Sequence, residues 1–447
     1  MQHLPQTNRV HASEVCRSWR EATTCPALWR SLKFVLSCDD DEASAEAFLA
    51  WLLSRAAAVE TLHIDIQDSA APCDAVVGVM SNVTAAVMAV RASLRHFTIE
   101  TTGSLVVGQW AAALHNLSTA CFIGGAVLVK QGLGKLTQLR DLEFGSNNVS
   151  LEIDSPACLP VSVTHLSLEH CCLVAVPPCL ERLTELRSLD LSQNVLGVEQ
   201  GNETATLAQF TGLECLKLAN CRMLQVPAEL AALKRLRILH MGGNLEANDD
   251  LGPEVSGRME AALRPLRRLQ VLVVSQCHVL LPEAVRRMTK LERLFVTSTP
   301  VTSLSTGPYC KSLRHLCLDW DVAFESAAML EQCAGMQMLT LARPHRSDVP
   351  DGQVPERAEQ LAAALLRHPT LEQVNIVAVQ GRGLHLSIAT MRFVLAFQSC
   401  RQSRLRLELI DSWDSDLVRI PNLTDLVDVT LTAEAESGRK RERPEES

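Results

Sequence analysis

Apolar residues recur along this chain at a spacing that dictates its local structure. The clearest stretch is Leu186 to Leu196, which reads Leu-Arg-Ser-Leu-Asp-Leu-Ser-Gln-Asn-Val-Leu. With Leu186 counted as position 0, apolar side chains stand at positions 0, 3 and 5, on one side of a short strand with the period of two that a half-buried strand requires. Asn194, at position 8, comes where the chain leaves the strand. An Asn there can bond backbone groups of neighbouring turns that would otherwise be buried unpaired. One such unit cannot bury its own apolar side, so it requires stacked neighbours.

The neighbours are present. Upstream, Leu139-Leu142-Phe144 and Val163-Leu166-Leu168 keep the same offsets. Downstream come Leu213-Leu216-Leu218, Leu236-Leu239-Met241, Leu269-Leu272-Val274, Leu291-Leu294-Val296 and Leu313-Leu316-Leu318. Position 8 is a second register, and it reads Asn147, Cys171, Asn194, Cys221, Asn244, Cys277 and Thr299, all small and polar. The stretch at 186–196 has the Leu-x-x-Leu-x-Leu-x-x-Asn-x-Leu form, and with it the chain resembles the leucine-rich-repeat family over most of its length. That resemblance implies a right-handed α/β solenoid, a horseshoe with a parallel sheet on the inner face and short helices outside.

The same pattern sets the expected boundaries. Residues 59–432 form the repeat array, 35–58 a linking helix, and 1–34 a separate small helical module. The charged tail, 433–447, lacks apolar anchors and is expected to be disordered. Its Arg439-Lys440-Arg441 with Arg443 reads as a solvated tail or as a nuclear signal. First repeat-like strands are expected at Val59-Leu62-Ile64 and Leu94-Phe97-Ile99, with a helix over 74–92 between them and a degenerate unit at Leu117-Ala120-Phe122. Return segments of the form Val176-Pro-Pro-Cys-Leu180, Val226-Pro-Ala-Glu-Leu230 and Leu281-Pro-Glu-Ala-Val285 predict a single turn or short helix opened by Pro. Longer units carry helices near 255–263, 356–367 and 387–399. Strands are expected at 371–376, 405–409 and 426–431.

Residues 1–34 depart from the repeat. Val15 and Trp19 share a helical face, with Cys16 between them and Arg17 and Arg20 toward the polar side. Pro26 suits the first turn of a second short helix that carries Leu28, Trp29 and Leu32 inward. At these residues the chain resembles the C-terminal half of the F-box family, through Val-Cys-Arg-x-Trp-Arg followed by Pro-x-Leu-Trp-x-x-Leu. The resemblance implies docking onto a Skp-type adaptor, and through it onto a cullin-based ubiquitin ligase, by Leu4, Pro5, Val15, Cys16, Arg17, Trp19, Arg20, Pro26, Leu28, Trp29 and Leu32. Leu4-Pro5 lies closer to Val15 than in the family, whose first amphipathic helix occupies that interval. Two readings follow for the segment: an adaptor-docking module, or a cap that shields the core of the first repeat.

Composition narrows the function. The chain has 447 residues, a length natural for a solenoid, which grows by adding units. Its net charge of −9 argues against a general nucleic-acid binder. The 16 Cys form no compact framework and no Cys-x-x-Cys pair with His partners, so neither a disulfide scaffold nor a zinc site is expected. Reduced thiols point to the cytoplasm or nucleus. No apolar leader opens the chain, and the longest uncharged run, 75–90, is too short to span a bilayer. Sequons at Asn82, Asn116, Asn148, Asn202 and Asn422 therefore read as chance. Neither a Gly-x-Ser-x-Gly turn nor a phosphate loop occurs, no cofactor is implied, and Cys171 beside His170 falls on the structural position 8. A catalytic role is not expected.

The functional surface is expected on the concave sheet, where positions 2, 4 and 6 point away from the core. Early units place Asp141, Glu143, His165, Glu169 and Asp190 there, and the middle ones Lys217 and His240. Later units place Ile238, Val271, Val273, Arg293, Phe295 and His315, with Trp320 on the rim. An apolar patch with Phe, Trp and Arg is the composition of a protein-binding hot spot. The expectation is a substrate-recognition subunit that holds a protein target on this face. The alternative is a repeat scaffold, cytoskeletal or ciliary, without a ligase link.

Overall fold

The computed structural model describes residues 25–37, 51–53, 56–67, 83–146, 151–197, 204–245, 252–342, 354–377 and 406–410. The chain divides into two compact units, Met1–Leu239 and His240–Ser447. Both are pieces of a leucine-rich-repeat solenoid, built from one parallel strand per repeat.

In the first unit the main sheet runs through β1 (Ser31–Ser37), β2 (Thr61–Gln67), β3 (His96–Thr101), β5 (Thr119–Gly124), β7 (Asp141–Ser146), β9 (His165–Ser167), β10 (Ser188–Asp190) and β11 (Cys215–Lys217). Residues at equal repeat positions pair across it, for example Glu143 with Ser167 and Asp190 with Lys217. The sheet thus begins with β1, one strand earlier than the leucine spacing predicts, because Leu32 and Phe34 continue the ladder beside Leu62 and Ile64. Residues 51–53 and 83–90 are helical, inside the two helices expected before β2 and β3. The degenerate unit is a regular strand, β5, with Ala120 and Phe122 wholly buried.

A second, three-stranded parallel sheet was not foreseen. β4 (Ser104–Val107), β6 (Ala126–Val129) and β8 (Leu151–Ile153) each follow a main strand, the first two after a sharp turn. At the β5–β6 turn, a side chain on Gly125 would collide with the carbonyl oxygen of Thr102, so only Gly fits. Four aromatics, Phe97, Trp110, Phe122 and Phe144, cluster here. Phe122 stacks on Phe144 at 5.7 Å and meets Phe97 edge-on at 6.1 Å, with Trp110 6.0 Å from Phe97.

In the second unit the sheet runs β13 (Val271–Val273), β14 (Arg293–Val296), β15 (His315–Asp319), β16 (Met338–Ala342), β17 (Gln373–Val377) and β18 (Arg406–Ile410), all parallel from β13 onward. β12 (Ile238–His240) spans the division of the chain. The connections include helices Gly252–Leu263, Glu283–Arg286, Trp320–Glu325, Ala327–Gln332 and Val354–Leu366. Pro-led return segments make the expected single turns at Pro178–Arg182, Ala228–Ala232 and Glu283–Arg286. The strand expected at 426–431 and the helix at 387–399 lie outside the described residues, as does the tail.

At Cys171, Asn194, Cys221 and Cys277, position 8 follows one rule. Its side chain turns inward and donates to the carbonyl of position 5 in the preceding repeat. Cys171 Sγ donates to Phe144 O at 3.2 Å, Cys221 Sγ to Leu191 O at 3.1 Å, and Cys277 Sγ to Met241 O at 3.2 Å. Asn194 does more. Its Nδ2 donates to Leu168 O at 2.8 Å and Leu191 O at 2.7 Å, while Oδ1 accepts from Cys171 N at 3.1 Å and Leu173 N at 2.9 Å. Burial pushes the Cys171 and Cys221 thiols up to about 12 and that of Cys277 to about 11, so all three stay protonated and serve as donors. To aim position 8 inward the chain turns at position 7, which is left-handed in six consecutive repeats. His170, Gln193, Asn220, Gly243, Gln276 and Ser298 have φ between 52° and 72°. Outside Gly such a conformation costs roughly 1 kcal/mol, which the buried ladder bonds offset.

Candidate functional site

Parallel pairing in register places the outward residues of the second unit in two rows. One row runs Val271, Arg293, His315, Met338 and Gln373; the other runs Val273, Phe295, Cys317, Thr340 and Asn375. The leucines between them, Leu272, Leu294, Leu316 and Leu339, are fully buried. Period-two alternation thus decides which residues reach this face.

The rows are tied together. The rings of Phe295 and His315 meet edge-on at 5.0 Å. His315 Nε2 lies 3.1 Å from Thr340 Oγ1, which accepts from Asn375 Nδ2 at 3.4 Å. Gln373 Nε2 donates to Asn375 Oδ1 at 2.8 Å. Burial, and then the charge of Arg293, hold the His315 pKa below its ordinary value, so near neutral pH the ring is uncharged. Burial and the nearby Asp319 push the Cys317 thiol up to about 12, which removes it as a nucleophile. The result is a fixed strip with an apolar end at Val271, Val273 and Phe295, the exposed cation Arg293 beside it, and a polar end at the half-buried Gln373, held by the buried Asn375. Such a strip can hold a polypeptide by burial and hydrogen bonding.

Where β15 ends, Asp319 is 5% exposed. Its Oδ2 accepts from Ser298 N at 2.6 Å and supports the left-handed turn there. Its Oδ1 is buried without a hydrogen-bond partner. Burial raises its pKa to about 6 despite the Ser298 bond, with Asp321 adding to the rise. Trp320, expected on the rim, is 7% exposed. It opens the helix Trp320–Glu325 and packs 5.9 Å from Phe324, so the turn at Asp319 carries it into the core. Ile238 stands on β12 in the first unit and is 37% exposed.

On the outward face of the first unit the charges pair with one another. Asp141 Oδ1 meets His165 Nδ1 at 3.0 Å, and Asp190 Oδ2 meets Lys217 Nζ at 2.9 Å. Lys217 opposite Asp190, at equal positions of successive repeats, is the signal that the sequence carries for such pairing.

Of the segment at the start of the chain, the described part begins at Cys25. Pro26 opens a 3-10 turn, Pro26–Trp29, as its fixed φ favours. Leu28, Trp29 and Leu32 are buried, at 5%, 1% and 1% exposure. Trp29 meets Trp51 edge-on at 5.0 Å, and Trp51 lies 6.0 Å from Phe34 on β1. Leu32 stands on β1 itself, not on the helix. Their side chains face the interior of the described structure and not its surface. Leu4, Pro5, Val15, Cys16, Arg17, Trp19 and Arg20 lie outside the described residues.

Residues 1–35 match the F-box-like family model. The F-box-like segment therefore ends inside β1, the first strand of the array. Among solved structures, an internalin (inlF) from Listeria monocytogenes is similar at 14% identity, over 81% of this chain and 82% of that one, with a TM-score of 0.37. Among the described residues, no cluster of three or more His, Cys, Asp or Glu side chains could hold a metal ion. No helix among them is long and apolar enough to cross a membrane.

Proposed function

We propose that this protein is a substrate-recognition subunit of a Skp-cullin-F-box-type ubiquitin ligase, non-catalytic itself and working in the cytoplasm or nucleus. The observation that carries the reading is the F-box-like match at residues 1–35 joined directly to a repeat array. Adaptor docking falls to Leu4, Pro5, Val15, Cys16, Arg17, Trp19 and Arg20. Leu28, Trp29 and Leu32 anchor the segment to the first repeat, so a docked adaptor would be coupled to the array without a flexible linker. The target lies on the strip around Val271, Val273, Arg293, Phe295 and His315, where rigid apolar groups stand beside hydrogen-bonding ones.

A second reading is favoured by the burial of Trp29 and Leu32: the F-box-like residues serve only as a cap, and the chain is a scaffold without ligase connection. Affinity capture from cells separates the two. The full chain is expected to recover adaptor and cullin, and a Val15→Asp/Trp19→Ala chain to lose both while keeping its thermal melt. Capture of neither by a folded full chain leaves the scaffold. On the target side, Val273→Ala/Phe295→Ala is expected to cut partner recovery about tenfold or more, the loss of roughly 1.4 kcal/mol or more. Unchanged recovery would remove the target from this strip.

A further inference from the structure

In a chain of net charge −9, one edge of the second unit is basic. The residues just before successive strands supply Arg267 and Arg268, then Lys290, then Lys311, with Arg314 one residue before β15 and Arg264 at the end of the preceding helix. All six are exposed. Among the described residues no ion pair engages any of them, whereas Arg286 and Arg287 nearby are held by Glu283 at 2.8 and 4.0 Å. Neighbouring strands lie about 4.8 Å apart, so parallel register lines these cations into a strip roughly 10 Å long across the three strands.

Two hollows open on the strip. One of 570 Å³ is lined by Thr289, Thr306, Gly307, Lys311 and Ser312 among others. The other, of 390 Å³, shares Thr289, Lys311 and Ser312 and adds Lys290, Arg314 and Glu292. Hydroxyls and ammonium groups converge here with a single carboxylate.

We propose that this edge is a docking site for an acidic, extended protein segment. Carboxylates pair with free Lys and Arg through charge-assisted bonds, and the strip's length matches about three residues of extended chain. A nucleic acid fits less well, because its long run of phosphates would meet the net negative charge of the rest of the molecule. The edge is separate from the Val273–Phe295 strip, so it stands whether or not that strip binds a target.

The test is fluorescence anisotropy with a labelled octaglutamate peptide and the full chain. Binding is expected at 20 mM NaCl and should weaken about tenfold or more by 150 mM, as screening of exposed charges requires. Lys290→Glu/Lys311→Glu should weaken it at least about tenfold. Lys290→Gln/Lys311→Gln, which adds no repulsion within the edge, gives the same direction should the Glu variant fail to fold. Arg182→Glu/Arg187→Glu in the first unit, an equal change in net charge, and Val273→Ala/Phe295→Ala should each stay within about twofold. The proposal is overturned by absent binding, by equal loss in the Arg182/Arg187 variant, or by tighter binding of an octathymidylate than of the peptide.

Discussion

Asn194 is the most heavily bonded side chain in the ladder, and replacing it tests the account of how the repeats hold together. Its amide uses its whole capacity, two donors and two acceptors, at 2.7–3.1 Å and 1% exposure. Each buried bond contributes about 1 kcal/mol net, and each orphaned amide about 1–3 kcal/mol. Asn194→Leu keeps the branching and heavy-atom count but strands the N–H groups of Cys171 and Leu173, so a loss of about 3–5 kcal/mol is expected. Asn194→Cys strands the same two N–H groups but retains a donor to Leu168 O, as Cys171 and Cys221 show at the same position, and should lose about 1 kcal/mol less than Asn194→Leu. Urea unfolding reads the total, with the slope checked because repeat arrays can unfold in parts. Hydrogen exchange on a peptide covering 170–174 reads the two amides directly. In Asn194→Leu they should exchange at least about a hundredfold faster, which corresponds to about 2.8 kcal/mol of lost protection. Unchanged protection with a stability loss under about 1 kcal/mol would refute the ladder as the source of cohesion.

Two further outcomes follow from the same geometry. The carboxyl of Asp319 has a folded pKa of about 6 against an ordinary 3.8. Above pH 6 the folded state bears the full penalty of its buried charge, and between about 6 and 3.8 it holds one more proton than the unfolded state. Its contribution to stability therefore rises as pH falls, by up to about 1.4 kcal/mol per unit. His315 acts oppositely, since a lowered imidazole pKa means stability is lost as pH falls through its unfolded value. Asp319→Asn should be more stable than the parent at pH 8, and in urea titrations from pH 8 to 5 it should show the His315 loss unmasked; an unchanged pH profile would contradict the assignment. Thr299 occupies position 8, yet its hydroxyl is buried without a hydrogen-bond partner. Thr299→Val should raise the urea midpoint, by about 1 kcal/mol in stability, and a loss of more than that would show an unrecognised role for the hydroxyl.

Much of the array was readable from the chain because a repeat makes its contacts with its nearest neighbours. Offsets of 0, 3, 5 and 8 name the buried leucines, the ladder side chains and, through alternation, the outward residues Val271, Val273, Arg293, Phe295 and His315. Pro-led segments such as Pro178–Arg182 declare their turns by the same local chemistry. Other features depend on what packs beside them, and no local spacing encodes that. β4, β6 and β8 are too short to signal a sheet, and they form one because successive repeats stack them in parallel register. Trp29 and Leu32 are the last residues of an F-box-like pattern, but their burial follows from the exposed apolar end of the first repeat. Trp320 is one residue beyond Asp319 in a strand pattern, and only the helix that begins there takes it inside. The basic edge at Arg268, Lys290 and Lys311 is spread over 44 positions of sequence (311 − 268 + 1) and becomes a single strip only when parallel pairing aligns the strands. The sequence alone determined the repeat, its core and the residues on its open face, since those obey short-range periodicity. The tertiary structure decided which of those residues are free to meet a partner, since burial and charge neighbourhood are set by contacts between repeats.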